Sequence, residues 1–226
     1  MSAIIEKIQT ITQRLANTGT TDYIGEPLSQ LEHSLQSAYF AEKAHHCEEV
    51  ILASLLHDLG HFYSSTSQFK MADLGIVHHE WIGAKIAYDL HFSRKVALLI
   101  GYHVDAKRYL AGKKPQYYQK LSNASQQTLA FQGGLMTSEE MQDFERLPLF
   151  KEILQVRAND EKAKVINLEV PGLDYYKMMI YEHIAHEQQV RSQAHESFEL
   201  RDFVDKQWVD AFKIYLEVHN GSETIG

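Results

Sequence analysis

The sequence predicts an all-α protein, and three observations lead to this prediction. Apolar residues recur at helical spacing in several segments, no stretch shows the alternation of a β-strand, and capping or breaking residues separate the segments. The 226 residues contain no Pro-, Gly- or Ser-rich stretch long enough to be a linker. We therefore expect a single domain, residues 1–226, with a core at about 20–190 and a helical extension at about 196–220.

The composition excludes several classes of protein. A net charge of -8 disfavours an extended nucleic-acid surface, which needs clustered Lys and Arg. The single cysteine, Cys47, excludes an internal disulfide and a thiolate cluster. No apolar run approaches the length of a membrane span, and Glu6 and Lys7 interrupt the N-terminus. We expect a cytoplasmic protein with no nucleic-acid or membrane partner.

The first half of the chain contains four predicted helices. Residues 2–16 end at Asn17-Thr18-Gly19, and a second helix covers about 28–44. The apolar run that starts at Val50 ends in Leu55-Leu56-His57-Asp58-Leu59-Gly60-His61, where the glycine can end a helix. Residues 63–74 are predicted to form a polar loop, and a fourth helix follows over about 78–90.

The second half is predicted to be helical with one polar interruption. Helices are predicted over 95–110, from Thr137 to Pro148, and over 149–164, 174–194 and 198–218. Ser93 suits the N-cap position of the first of these, and Thr137-Ser138-Glu139-Glu140 has the spacing of a capping box. No helix is predicted for the polar stretch 113–132, which ends in Gly133-Gly134.

Histidines and carboxylates recur on separate predicted helices, at separations of 24, 21 and 24 residues along the first four positions. The candidate metal ligands are His33, His57, Asp58, His79, His103 and Asp160. Such inward residues of a helical bundle can build a dinuclear site. Asp58 would bridge, one site would take His33, His57 and Asp160, and His79 with His103 would hold a less saturated one. This donor set without thiolate suits iron, manganese or zinc.

Two cations are expected near these ligands. Lys107 lies one helical turn after His103, and Arg157 lies three residues before Asp160. Both could bind a dianion, and His61, Ser125 and Gln132 could add hydrogen bonds. Two other interpretations stay open from the residues alone. The His57-Asp58 pair could be a core histidine capped by an aspartate, and both cations could be solvated charges on helix faces.

The pattern of His33, His57-Asp58 and Asp160 resembles the signature of the HD-domain superfamily, whose members are all-α and mostly metal-dependent phosphohydrolases. The additional His79 and His103 resemble its dinuclear branch. Five motifs resemble the mixed-valence diiron oxygenases that cleave 1-hydroxyphosphonates. They are Tyr23-Ile24-Gly25-Glu26, Gln30 to Gln36, Leu56 to His61, Gly101 to Leu110, and Phe131-Gln132-Gly133-Gly134. The similarity runs from about Asp22 to His183.

The resemblance implies a dioxygenase that contains two iron ions as an Fe(II)/Fe(III) pair and uses O2 as co-substrate. The implied reaction cleaves the C–P bond of (R)-2-amino-1-hydroxyethylphosphonate to give glycine and phosphate. Tyr23 and Glu26 would lie over the open iron position and hold the amino end, so they join Asp58, His79 and His103 as catalytic residues. The family also suggests a hydroxylase that supplies the substrate. The segment after about Ala194 could either extend the interface of a homodimer or pack on the bundle, so the sequence leaves the oligomeric state open.

Three alternatives compete with this interpretation. The same chemistry could act on the 2-trimethylammonio analogue or on hydroxymethylphosphonate, which differ only at the amino end. The same ligands could hold Mn, Mg or Zn and hydrolyse a nucleotide or another phosphate ester. A binding module that keeps the fold without catalysis is the third alternative. The complete ligand set argues against that last alternative.

Overall fold

The computed structural model describes residues 2–18, 28–62 and 78–193. These residues form eleven α-helices and one 3-10 helix, Leu59–Phe62, and contain no β-strand. The α-helices are α1 (Ser2–Thr18), α2 (Gln30–Lys43), α3 (Glu48–Leu56), α4 (His79–Asp89), α5 (Arg94–Gly101), α6 (His103–Lys113), α7 (Pro115–Lys120), α8 (Asn123–Phe131), α9 (Ser138–Glu145), α10 (Phe150–Lys162) and α11 (Leu173–Gln193). The all-α prediction is confirmed. No helix in this part of the chain has the length and apolar character needed to cross a membrane.

Helix α3 lies at the centre of the fold. Every residue from Val50 to Leu56 is buried, as expected for a helix that is apolar on all sides. Helices α2, α5 and α10 pack against α3. His57 is the C-cap residue of this helix, so the sequence places a histidine and the following Asp58 inside the protein.

The helix starts that the sequence predicted are confirmed where they can be checked. The Ser93 hydroxyl accepts a hydrogen bond from the Val96 amide at the start of α5. Thr137 and Glu140 form a reciprocal capping box at the start of α9. A capping side chain of this kind satisfies amide groups that the first turn of a helix leaves unpaired.

The prediction of a single helix over 95–110 is wrong. The structure has two helices, α5 and α6, with Tyr102 at φ -88° and ψ 1° between them. His103 is therefore the first residue of α6, and its ring contacts the carbonyl of Ile100 in the preceding helix. Apolar residues continue through the break at helical spacing, so periodicity alone could not locate it.

The polar stretch 113–132 contains two helices that the sequence analysis did not predict. Pro115 lies in the first turn of α7, where its missing amide proton costs nothing. Ser122 caps α8 by accepting a hydrogen bond from the Ser125 amide. Few residues of these helices are buried, so they lack the apolar stripe that identifies most helices.

A close backbone contact joins the 3-10 helix to α4. A Cβ atom at Gly60 would lie 1.9 Å from the carbonyl oxygen of His79 and 2.9 Å from the amide nitrogen of Gly83. Only glycine permits so close an approach. This contact brings the segment after Asp58 against the start of the helix that carries His79.

Candidate active site

The six predicted ligands converge in the interior. Each is 6% exposed or less. Five elements supply them: α2 carries His33, the turn after α3 carries His57 and Asp58, His79 begins α4, His103 begins α6, and α10 carries Asp160. Residues that lie far apart in sequence thus meet because α2, α3 and α10 pack against one another.

His33, His57 and Asp160 form the first group, which we name the inner ligand set. The Nε2 atoms of His33 and His57 are 3.1 Å apart. The Oδ1 atom of Asp160 lies 3.3 Å from His33 Nε2 and 3.9 Å from His57 Nε2. Ligand atoms bonded to one metal ion at about 2.1 Å lie about 3 Å apart, so these three atoms suit a single ion.

The hydrogen bonds of the rings test whether this group fits a metal. His33 Nδ1 lies 2.8 Å from the carbonyl of Ala163, and His57 Nδ1 lies 2.8 Å from the carbonyl of Ser54. A carbonyl oxygen only accepts, so each Nδ1 carries the proton, and each neutral ring keeps its lone pair on Nε2. Two lone pairs 3.1 Å apart repel each other unless a cation lies between them. The inner ligand set therefore fits a metal ion.

Asp58 faces a second group, His79, His103 and His61, which we name the outer ligand set. Its Oδ2 lies 3.4 Å from His57 Nε2, whereas its Oδ1 lies 3.4 Å from His79 Nε2. The Nε2 atoms of His79 and His103 are 3.4 Å apart. One carboxylate thus directs one oxygen to each set, which is the arrangement of a bridging ligand.

His61 was predicted to contact the substrate, but it lies close enough to Asp58 and His79 to be a metal ligand. Its Nε2 lies 4.0 Å from Asp58 Oδ1, and its ring stacks on that of His79 with centroids 3.9 Å apart. Asp58, His61 and His79 together have the spacing of a metal site. The outer ligand set therefore offers two imidazoles beside His79, of which His103 was the predicted ligand.

The electrostatics keep both carboxylates ionised and the His103 imidazole neutral, whereas the hydrogen bond with Asp58 and the Glu80 charge outweigh burial and raise the pKa of His79. Burial would raise the pKa of Asp58, but the His57 charge and a hydrogen bond from His79 hold that pKa well below its usual range. Burial would also raise the pKa of Asp160, but the Arg157 charge outweighs burial and holds that pKa well below its usual range. Burial, reinforced by neighbouring imidazoles, lowers the pKa of His103 to about 3. Ionised carboxylates and neutral imidazoles are the forms that bind metals.

Two buried cations lie beside the ligands, as predicted. Lys107 and Arg157 are each 4% exposed, so neither is a solvated charge. Arg157 forms ion pairs with Asp160 and Glu161, and its Nε donates to the Tyr117 hydroxyl at 2.8 Å. Lys107 Nζ donates to the Thr128 hydroxyl at 3.1 Å. Burial, then the Arg157 charge, lowers the pKa of Lys107 to about 7. Two cations that disfavour each other in this way would gain from a bound anion.

Ser125 and Gln132, which were predicted to add hydrogen bonds to a bound anion, belong to α8 and its C-cap. The Ser125 hydroxyl accepts from Lys164 Nζ at 3.3 Å. Gln132 is the C-cap residue of α8 and lines a cavity of about 310 Å³ together with His78 and Glu80. The sequence analysis missed Thr128, Tyr117 and Lys164. Thr128 lies three residues after Ser125, and this spacing was the one signal that could have identified it.

Comparison with known proteins agrees with this geometry. The family described as HD domain matches residues 31–141. A [1-hydroxy-2-(trimethylamino)ethyl]phosphonate dioxygenase (glycine-betaine-forming) of Leisingera caerulea is 41% identical over 162 residues, covering 72% of this chain and 82% of the relative. A hydroxymethylphosphonate dioxygenase of Gimesia maris is 37% identical over 175 residues, covering 76% and 85%. The chain belongs to the HD-domain family.

A third relative is the uncharacterized protein L432 of Acanthamoeba polyphaga mimivirus. It is 40% identical over 186 residues, covering 82% of this chain and 85% of the relative. The resemblance to the HD-domain oxygenases that the motifs indicated is thus confirmed. The matched HD segment contains five of the predicted ligands, whereas Asp160 lies beyond its end.

Four predictions for this HD-domain protein fall on parts of the chain outside the described residues. They are the roles of Tyr23 and Glu26, the loop over 63–74, and the helical extension at about 196–220. The roles of Tyr23 and Glu26 stay predictions.

Proposed function

We propose that this protein is a dinuclear iron oxygenase that uses O2 to cleave the C–P bond of a small 1-hydroxyphosphonate. The substrate proposed is (R)-2-amino-1-hydroxyethylphosphonate, and the products are glycine and phosphate. The observation that carries the proposal is the position of Asp58, with one oxygen toward each of two imidazole sets. The two relatives named as phosphonate dioxygenases support it.

In this proposal the six ligands hold the two iron ions. The inner ligand set would hold one ion, and His79 and His103 would hold the other, with Asp58 shared between them. The iron pair, in its Fe(II)/Fe(III) state, supplies the redox chemistry with O2. The protein supplies orientation: the Nδ1 protons held by Ala163 and Ser54 fix the His33 and His57 rings.

The buried cations are proposed to bind the phosphonate group. A charged group that is buried needs a partner of opposite charge, and Lys107 has the hydroxyl of Thr128 beside it rather than a carboxylate. A phosphonate could bind Lys107 and Arg157 by charge-assisted hydrogen bonds, with Ser125, Gln132 and His61 as further contacts. Enclosing the anion here also excludes water from the reacting bond.

The two named relatives also support the choice of substrate class. Their names describe substrates with a phosphonate and a hydroxyl group on the same carbon, which differ at the opposite end. The shared part is the part that the buried cations and the outer ligand set would contact. The variable end is left to Tyr23 and Glu26, and Glu26 would pair with an ammonium group. A hydroxylase acting earlier would supply the 1-hydroxyl group.

The test is oxygen-dependent turnover. Iron-loaded protein is incubated with (R)-2-amino-1-hydroxyethylphosphonate, with and without O2, and phosphate, glycine and oxygen uptake are followed. We expect equal amounts of phosphate and glycine, formed only with O2. The trimethylammonio and hydroxymethyl analogues then rank specificity. Phosphate release from a nucleotide or phosphate ester without O2, and none from any phosphonate, would replace this proposal with a phosphohydrolase.

A further inference from the structure

Helix α8 ends in a turn of unusual shape directly after Gln132. Gly133 and Gly134 both have positive φ, at 94° and 71°. The Gly134 amide donates to the carbonyl of Leu129 at 2.8 Å, which is the hydrogen bond of a Schellman C-cap. Two consecutive left-handed residues favour glycine at both positions. The turn leaves the carbonyls of the two glycines free to accept from elsewhere.

Arg108 of α6 binds both carbonyls. Its Nε donates to the Gly134 carbonyl at 3.1 Å, and its Nη2 donates to the Gly133 carbonyl at 3.5 Å. A Cβ atom at Gly133 would lie 3.3 Å from the guanidinium group. A planar guanidinium offers several donors in a fixed arrangement, which a lysine cannot reproduce.

The guanidinium group is itself held in place from two sides. Its Nη1 donates to Asp105 at 3.1 Å, and its Nη2 donates to Glu140 at 2.7 Å. Arg108 is 6% exposed. The adjacent Lys107 bonds to Thr128 of the same α8. Helix α6 therefore holds α8 at two points, once in the middle of the helix and once at its end.

Gln132 depends on this turn for its position. Its Oε1 atom is buried and has no hydrogen-bond partner within the described part of the chain. The side chain faces the cavity that it shares with Glu80, next to the ligand His79. Because no hydrogen bond anchors that oxygen, the direction of the side chain relies on the packing around Gln132 and on the backbone of the turn that follows it.

We infer that Arg108 is a positioning residue, which directs Gln132 toward the substrate by holding the Gly133-Gly134 turn. The inference rests on the proposed function because it takes Gln132 as a contact of the phosphonate. Arg108 also lines the cavity, but its three guanidinium nitrogens already donate to Asp105, Glu140 and the two glycine carbonyls, so we assign it no contact with the substrate.

The experiment compares R108K with E145Q. Glu145 also joins α6 to α9, because it accepts from the Tyr109 hydroxyl at 2.7 Å and from Lys113 at 3.0 Å, but it does not contact the turn. We expect R108K to raise the KM for the phosphonate about tenfold with kcat within about twofold, the size of one lost hydrogen bond in uniform binding. Combining R108K with Q132A should raise KM no further than Q132A alone. E145Q should leave KM unchanged.

Hydrogen exchange of the Gly134 amide gives a second readout that needs no turnover. R108K should accelerate this exchange, and E145Q should not. Should R108K fail to fold, G133A takes its place, since its added Cβ meets the guanidinium, and the same KM effect is expected. Faster exchange with unchanged KM, unchanged exchange, or equal effects of R108K and E145Q would each overturn the inference.

Failure of the proposed function has a different signature. In that case wild-type protein releases no phosphate from any of the phosphonates. The Kd for inorganic phosphate, measured by calorimetry, then replaces KM in the same comparison. Weaker phosphate binding in R108K and Q132A, but not in E145Q, would still support the positioning role. Equal Kd values in all three would overturn it.

Discussion

The inner and outer ligand sets share Asp58 but differ in what surrounds them. The side chains of His33, His57 and Asp160 are 0–3% exposed, and Arg157 binds the carboxylate. Those of His79, His103 and His61 are 4–9% exposed, and Glu80, next to His79, lines the cavity. Asp58 therefore lies between a fully enclosed set of side chains and a slightly more exposed one, which we name the enclosed and the accessible positions. We propose that the accessible position is where substrate binds.

The largest effect is expected from removing the residue that both sets share. D58N keeps the shape of the side chain but removes the charge that joins the two positions. Iron content should fall at both positions, and activity should drop by at least about a thousandfold. Iron analysis and turnover of the D143N control, an exposed acid paired with Arg146, should match wild type. Retention of one full iron position in D58N would show that the sets are independent.

Removing the metal should lower the thermal stability of the protein, and the two ligand sets should contribute differently to this loss. A metal at about 100 times its Kd stabilises by about 2.7 kcal/mol, so chelation should lower the Tm by about 5–10 °C. H33A should abolish most of this difference, because it removes one of the three ligand atoms of the enclosed position. H79A should keep part of it. Thermal melts with and without chelator measure both, and equal losses would remove the distinction between enclosed and accessible positions.

The two buried cations should differ in their effect on stability, because Arg157 binds a residue of the enclosed position and Lys107 does not. K107M should raise the KM for the phosphonate by about 10- to 100-fold, as expected for a lost charged hydrogen bond of about 1.5–3 kcal/mol. Its Tm should stay near the wild-type value. R157M should raise KM and also lower the Tm, because Arg157 binds Asp160 and Tyr117. K151M, at an exposed position of α10, is the control. A reversed pattern, with the Tm loss in K107M, would contradict this assignment.

The smallest effect is expected in the pH dependence of the Tm, which His61 of the outer ligand set should influence. Burial, reinforced by the His79 charge, lowers the pKa of His61 to about 3 from 6.5. The unfolded state then binds more protons, so stability decreases as pH falls below about 6.5. In metal-free protein, H61N should reduce the loss of Tm between pH 7 and pH 6 by about 2 °C. Thermal melts at both pH values measure this, and H186N, on an exposed histidine, should show the wild-type loss. An H61N loss equal to that of wild type would contradict the lowered pKa.

The sequence predicted which side chains would converge better than it predicted the elements that carry them. Metal binding restricts the residue types to imidazole and carboxylate, so His33, His57 and His79 were identifiable on periodic helices. The spacing of Arg157 and Asp160 predicted that they share one side of a helix, and the structure brings them into contact. The meeting of His33 with Asp160 depends on the packing of α10 against α2, which no local pattern encodes.

The missed features have two physical causes, which are contacts between distant segments and helix boundaries that apolar periodicity does not reveal. The hydrogen bonds from Arg108 reach residues 25–32 positions away, and its sequence neighbourhood gives no sign of them. Helices α7 and α8 carry start signals at Pro115 and Ser122, but they lack an apolar stripe. The break at Tyr102 leaves the apolar period intact.

The contact of Gly60 with the backbone of α4 has a consequence for mutational tolerance. A side chain at this position would overlap the His79 carbonyl oxygen at 1.9 Å, and backbone atoms cannot move aside as a flexible side chain could. Every replacement would therefore push the segment after Asp58 away from His79 and widen the gap between the bridging carboxylate and the outer ligand set. In a saturation mutagenesis screen, Gly60 should be as intolerant as the histidines, although it has no side chain that can bind a metal.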